Sequence, residues 1–228
     1  RVGPDFPVAI KLNSADFQRG GFAFEDCLKL VETLNQEGLD LLEVSGGSYE
    51  QPRLLGYEGD AKKVEGESST AQREAYFLKY AKQVRAIAKM PVMVTGGFRS
   101  REVMVQALAS GDADVIGLGR PLCGDPELPT KLLEAEVTEA PRYELSLKVF
   151  NGNQQKPMSR LWPIQVFGQQ AWYFMQIFRL GRGLDAKLSL KPMICFMRYQ
   201  FDEFLRAALL RRRRVPGPSE QVSHVRST

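Results

Sequence analysis

The chain has 228 residues, 43% of them hydrophobic, enough to bury one good-sized core in one or two domains. No apolar run approaches the ~18 residues of a membrane helix, and Cys27, Cys123 and Cys195 lie too far apart for a CxxC zinc site or a disulfide framework, which suits a reducing, cytoplasmic setting. The net charge of +4 resides in residues 211–228, where five arginines face one glutamate; the rest is formally neutral, so the basic pI gives no sign of a nucleic-acid groove.

The chain starts at Arg1 with no methionine or signal-peptide pattern and enters a strand almost at once, which reads as a fragment or a trimmed chain. Pro7–Leu12, PVAIKL, is the first predicted strand, and Lys11 at its end is expected to point into whatever lies at the carboxyl edge of the sheet. It reads equally as a solvated strand-end lysine. After Gly20-Gly21, residues Phe24–Gly38 predict an amphipathic helix with Cys27, Leu30, Val31 and Leu34 on its apolar side and Gly38 placed to end it. Leu39–Val44 is the second strand, closed by Ser45-Gly46-Gly47. A long polar stretch follows, from Ser48 to about Thr70, with Tyr49 and Tyr57 as the aromatics that could reach a ligand; lid and surface loop are both open readings. Ala71–Lys89 predicts a helix with Tyr76, Phe77, Tyr80, Val84, Ile87 and Ala88 on its apolar side.

The segment from Pro91 to Leu122 organises the rest. Val92–Val94 is a short apolar run ending in Gly96-Gly97, the mark of a strand buried in a parallel sheet. Ser100 is placed to cap the next helix, and Asp114–Leu118 then repeats the pattern, ending in Gly119-Arg120-Pro121. Glycine lets backbone N–H groups approach an anion, and Arg120 adds a charged, forked donor. Two such turns on consecutive βα units point to a phosphate pocket, the place that barrels use after strands seven and eight; tight turning alone is the plainer account. Pro126–Glu136 predicts one more helix, with Asp125 as its cap.

Four βα units in the first 136 residues imply a parallel sheet with crossovers, half of an eightfold barrel and well short of the ~250 residues that a full one takes. The segments VAIKLNSADFQRGGF, LDLLEVSGGSYEQP, REAYF, PVMVTGGFRS and DVIGLGRPLCGDPELP resemble, in order and spacing, the second half of an old yellow enzyme, the FMN-dependent NADH:flavin oxidoreductase family. AWYFMQIFRLGRGLDAKLSL is similar to the C-terminal helices of one branch of it. The resemblance implies a TIM (β/α)8-barrel, FMN as cofactor, and NADH or NADPH as reductant. It assigns Lys11 to the flavin N1 and C2 carbonyl as the catalytic cation, Gly96, Gly97 and Phe98 to the phosphate turn, Gly119 and Arg120 to the second phosphate turn with Arg120 also packing near the flavin ring, and Ser45, Gly46 and Gly47, more loosely, to the ring or substrate. The family's substrate-anchoring pair and its proton-donating tyrosine would precede Arg1, and the chain's one histidine, His224, lies in the polar tail.

Beyond 140 the character changes. Residues 141–160 predict a surface loop, Ile164–Leu180 and Pro192–Leu210 two aromatic-rich helices packed on the barrel's outside, and 211–228 a basic tail of disordered composition. The domain reading is therefore 1–140 half-barrel, 141–210 helical extension and 211–228 tail. The function expected from the resemblance is hydride transfer from NAD(P)H through FMN to a small-molecule acceptor such as an electron-poor alkene, with no nucleic-acid or membrane partner. Two other classes stay open: a non-flavin phosphate-binding barrel enzyme using Lys11 as base or Schiff-base nucleophile, and an inert truncated barrel. A half-barrel exposes two strand edges, so a second copy or the missing amino-terminal half is the expected partner.

Overall fold

In a computed structural model, residue 3 and residues 5–16, 20–45, 78–150 and 160–212 are described. Two compact units divide the chain after Ser146.

Among the described residues the first unit holds four strands, β1 (Ala9–Asn13), β2 (Leu41–Ser45), β3 (Val92–Thr95) and β4 (Val115–Gly117), paired in parallel in the order β1-β2-β3-β4. Between them run α1 (Phe24–Leu34) and α2 (Leu78–Ile87), and after β3 comes α3 (Arg101–Ala109). Parallel neighbours need a crossover each time, and an order that never reverses puts every crossover helix on one face. That is barrel winding; a doubly wound sheet would reverse. Strand alternation follows from it. Leu12, Leu42, Val44, Val92 and Val94 are buried and share one core cluster with Cys27 and Val31 of α1, Ala81 and Val84 of α2, and Val103, Met104 and Ala107 of α3. The alternate residues Lys11, Glu43, Met93 and Val115 are successive register partners on the opposite face, which is the inner face of a barrel.

Several predicted boundaries shift for local reasons. β1 starts at Ala9 because the backbone around Val8 is engaged by Asp40, whose carboxylate accepts the Val8 N–H at 2.7 Å. β4 is confined to Val115–Gly117: Asp114 instead spends its carboxylate on the Val92 N–H at 2.8 Å and on Arg85 Nε at 2.7 Å. α1 stops at Leu34, and the turn that follows ends at Gly38 in the left-handed region, φ +66°. The helix predicted over 71–89 is seen as Leu78–Ile87, with residues 71–77 outside the described ones. Tyr80 packs edge-on against Phe24 at 5.0 Å, a core contact as expected of it.

Asn35, just past α1, joins the ends of two helices. Its Nδ2 donates to the Ile87 carbonyl at 2.9 Å and its Oδ1 accepts the Lys89 N–H at 2.8 Å. Asn35→Ala leaves both groups without that partner and should cost about 1–3 kcal/mol. A urea midpoint equal to that of the parent chain would contradict this account.

After β4 come a 3₁₀ turn (Arg120–Cys123) and α4 (Leu128–Leu133). Asp125 does not cap α4. The residue at the N-cap is Glu127, without a side-chain bond, while both Asp125 oxygens bind Lys131 Nζ at 2.7 and 2.9 Å. A lysine one turn into the helix outcompetes the backbone N–H groups for the carboxylate. Ser100 occupies the N-cap position of α3 with extended backbone and no side-chain cap bond.

Residues 141–146 fall in the first unit, and the second unit begins at Leu147. It contains α5 (Trp162–Leu180) and α6 (Pro192–Arg212), both foreseen from their aromatic density. Phe174 stacks on Tyr199 at 5.2 Å, and the Arg206 guanidinium lies 5.9 Å from the Phe178 ring centroid. Contacts that advance together along both helices mean that α6 runs alongside α5 in the same direction. The connection therefore returns along α5, held where Gln176, fully buried, binds the Lys187 N–H and carbonyl at 2.8 and 3.0 Å. Among the described residues no helix is long and apolar enough to cross a membrane.

Candidate phosphate and flavin site

The site grows from the carboxyl ends of β3 and β4. Thr95 and Gly117 are register partners, so the segments that follow them leave the sheet side by side. After Thr95 the backbone turns through Gly96 at φ +144° and Gly97 at φ +79°, conformations that side chains disfavour. Phe98, only 1% exposed, then drops into the core and fixes the turn from below. After Gly117 and Leu118 comes Gly119, where an added Cβ would meet nothing within 4 Å. Arg120, half-buried, opens the 3₁₀ turn.

Gly117 is glycine for a different reason. A Cβ there would lie 1.9 Å from Thr95 Oγ1 and 3.2 Å from the Thr95 Cα, so the two strands meet at that point by direct backbone approach. Thr95 Oγ1 is buried and makes no hydrogen bond.

Lys11 lies in the middle of β1, not at the carboxyl edge where it was expected. It occupies the inner face, and its Nζ binds Glu43 Oε1 at 2.5 Å. Glu43 was missed at the sequence level, although the alternation of LLEVS around Leu42 and Val44 already turns it inward. Ser45 ends β2, and its carbonyl accepts the Ser14 N–H at 2.6 Å. Gly46, Gly47, Tyr49 and Tyr57 lie outside the described residues.

A second pair missed in the sequence borders the β3 turn. Arg99, 5% exposed, donates from Nη1 to the Phe98 carbonyl at 2.8 Å and from Nη2 to Glu144 Oε1 at 3.0 Å. Burial pushes the Glu144 carboxyl up, but a backbone N–H bond and the charges of Arg99 and Arg120 outweigh it and hold the group below the usual carboxylate range. A carboxyl with a lower pKa folded than unfolded adds stability above its unfolded pKa and loses it as the pH falls through the folded one. The melting temperature of the parent chain should therefore exceed that of Glu144→Gln near about pH 7, and the gap should close towards about pH 3. A constant gap across that range would count against an ionic origin.

Cys123, at the end of the 3₁₀ turn, is held up by burial, against the opposing effects of a backbone hydrogen bond and the Arg120 charge. That is the opposite of a reactive thiolate. Among the described residues no group of three His, Cys, Asp or Glu side chains could hold a metal ion.

Two adjacent glycine turns, one strained into positive φ and one open at Gly119, with an arginine beside them, fit the phosphate end of a nucleotide cofactor. The fold is four parallel βα units wound as half of a barrel, with both glycine turns at one edge of the sheet. Residues 1–139 match the NADH:flavin oxidoreductase / NADH oxidase family, and the chain belongs to that family. FMN is the cofactor the family implies, with NADH or NADPH as reductant. The NADH-dependent flavin oxidoreductase iliE of Neonectria sp. (strain DH2) is 39% identical over 141 residues, 60% of this chain and 18% of the relative. The NADH-dependent flavin oxidoreductase iccE of Talaromyces variabilis is 29% identical over 192 residues, 79% of this chain and 44% of the relative. A 2-naphthoyl-CoA reductase solved with 2-naphthoyl-CoA aligns at a TM-score of 0.48 and 26% identity, over 60% of this chain and 20% of that one. The chain thus spans less than half the length of these proteins.

Proposed function

We propose that this chain is the cofactor-phosphate half of an old yellow enzyme-type barrel, serving hydride transfer from NADH or NADPH to an electron-poor alkene or another small acceptor. The observation that carries the reading is the pairing of the Gly96-Gly97 and Gly119-Arg120 turns on register-matched strands.

FMN, held by its phosphate between these turns, would supply two-electron hydride chemistry. The chain's own residues do the holding. Gly96 and Gly97 turn the backbone so that a phosphate can come close without a side chain in the way, and Arg120 adds a forked cationic donor. Lys11 presents a cation on the inner face, where negative charge on a ring would be stabilised, and Glu43 holds that ammonium in place. The same ion pair disfavours the reading of Lys11 as a Schiff-base nucleophile, which needs a free amine.

The inner face carries Lys11, Glu43, Met93 and Val115, and a parallel sheet is normally covered on both faces. In this reading the first four βα units of the barrel, or a second copy of the chain, cover it and complete the substrate side. The test is a titration of the 228-residue chain with FMN, followed by flavin fluorescence, and with riboflavin as the phosphate-free control. Saturable binding that favours FMN is expected. A folded chain that binds neither would sink the reading for this polypeptide.

A further inference from the structure

The two phosphate turns are joined by a segment that starts at the very end of the family match and runs beyond it. Residues 138–146 run alongside the β3 turn first. The Arg101 N–H donates to the Thr138 carbonyl and the Ala140 N–H to the Arg99 carbonyl, both at 2.8 Å, and Ser100 and Glu139 form an antiparallel bridge. The segment then closes a short 3₁₀ turn over Tyr143–Leu145, which delivers two side chains in opposite roles. Glu144 takes the buried Arg99 guanidinium at 3.0 Å. Tyr143 lies on the other turn, so close to Gly124 that a Cβ there would be 2.3 Å from its ring carbon Cζ.

We propose that residues 138–146 are a strap that sets the spacing of the two phosphate turns, with Glu144 and Tyr143 as positioning residues for the phosphate pocket. The proposal rests on the flavin-phosphate reading given above. Arg99 belongs to the β3 turn and Gly124 closes the β4 turn, so adjacent residues of one rigid 3₁₀ turn hold both. A buried guanidinium that loses its carboxylate must move or rehydrate, and either response displaces the Gly96–Arg99 backbone. The charge of Arg120 also helps hold the Glu144 carboxyl below its usual range.

The test reads coupling between the turns and phosphate discrimination on the same proteins. Hydrogen exchange is followed at the amides of residues 96–99 and 119–124 in the parent chain, Glu144→Ala and Gly124→Ala. Gly124 has an ordinary φ of −107°, so alanine is tolerated by the backbone and acts only by displacing Tyr143. Each variant is expected to speed exchange in the turn it does not touch: Glu144→Ala in the β4 turn, Gly124→Ala in the β3 turn. If each loosens only its own turn, or neither, the strap is overturned whether or not FMN binds. The preference for FMN over riboflavin should fall about tenfold in Glu144→Ala and recover in Glu144→Asp, as a positioning role requires. A parent chain with no preference for FMN over riboflavin would end the phosphate reading itself. A preference kept in full by both variants would end only the strap.

Discussion

Arg120→Ala is expected to weaken FMN binding by about ten- to a hundredfold, the range set by one charge-assisted contact of ~1.5–3 kcal/mol in a partly desolvated site. Riboflavin binding should fall less, because riboflavin lacks the phosphate to which the proposed reading assigns the arginine. Arg120→Lys keeps the charge and loses the fork, so it should fall between the two. The side chain opens a 3₁₀ turn whose backbone is held by the Leu122 N–H on the Gly119 carbonyl at 3.0 Å, and that bond does not depend on it. The fold should therefore survive, and far-UV circular dichroism checks this. Equal losses for FMN and riboflavin would place Arg120 in structure and not in phosphate binding.

The largest effect on stability is expected at Gly117. An added methyl would lie 1.9 Å from Thr95 Oγ1, 2.8 Å from the Thr95 Cβ and 3.2 Å from the Thr95 Cα. Rotating Thr95 relieves only the first of these contacts, and the other two require β3 and β4 to move apart. Overpacking of this kind costs about 1–3 kcal/mol, occasionally more, and here it separates the strands that align the two glycine turns. Gly117→Ala should lower the melting temperature and the FMN affinity together. Thr95→Ser in the same background should not rescue it, because the Cβ contact remains. Unchanged melting would mean that the strand spacing at this level is softer than the register implies.

The sequence alone carried the four βα units and the family, because strand hydrophobicity and glycine turns are local signals that need no knowledge of neighbours. It also carried the position of the two glycine turns: Gly96, Gly97, Gly119 and Arg120 follow two apolar runs, and the structure sets them side by side after register-matched strands. Phe98 was read as part of the turn, and its side chain proves to be the turn's anchor in the core. Tertiary structure decided what each charged group does with its neighbours. Asp125 was read as a cap and went to Lys131, and Asp114 was read as a strand residue and went to Val92 and Arg85. Lys11 was read as a strand-end cation and proved to be half of an ion pair with Glu43, 32 residues away. Arg99 and Glu144, 45 residues apart, were read as nothing in particular. A charged side chain finds its partner only once parallel register and crossovers have brought distant segments together, and hydrophobic period says nothing of such pairings.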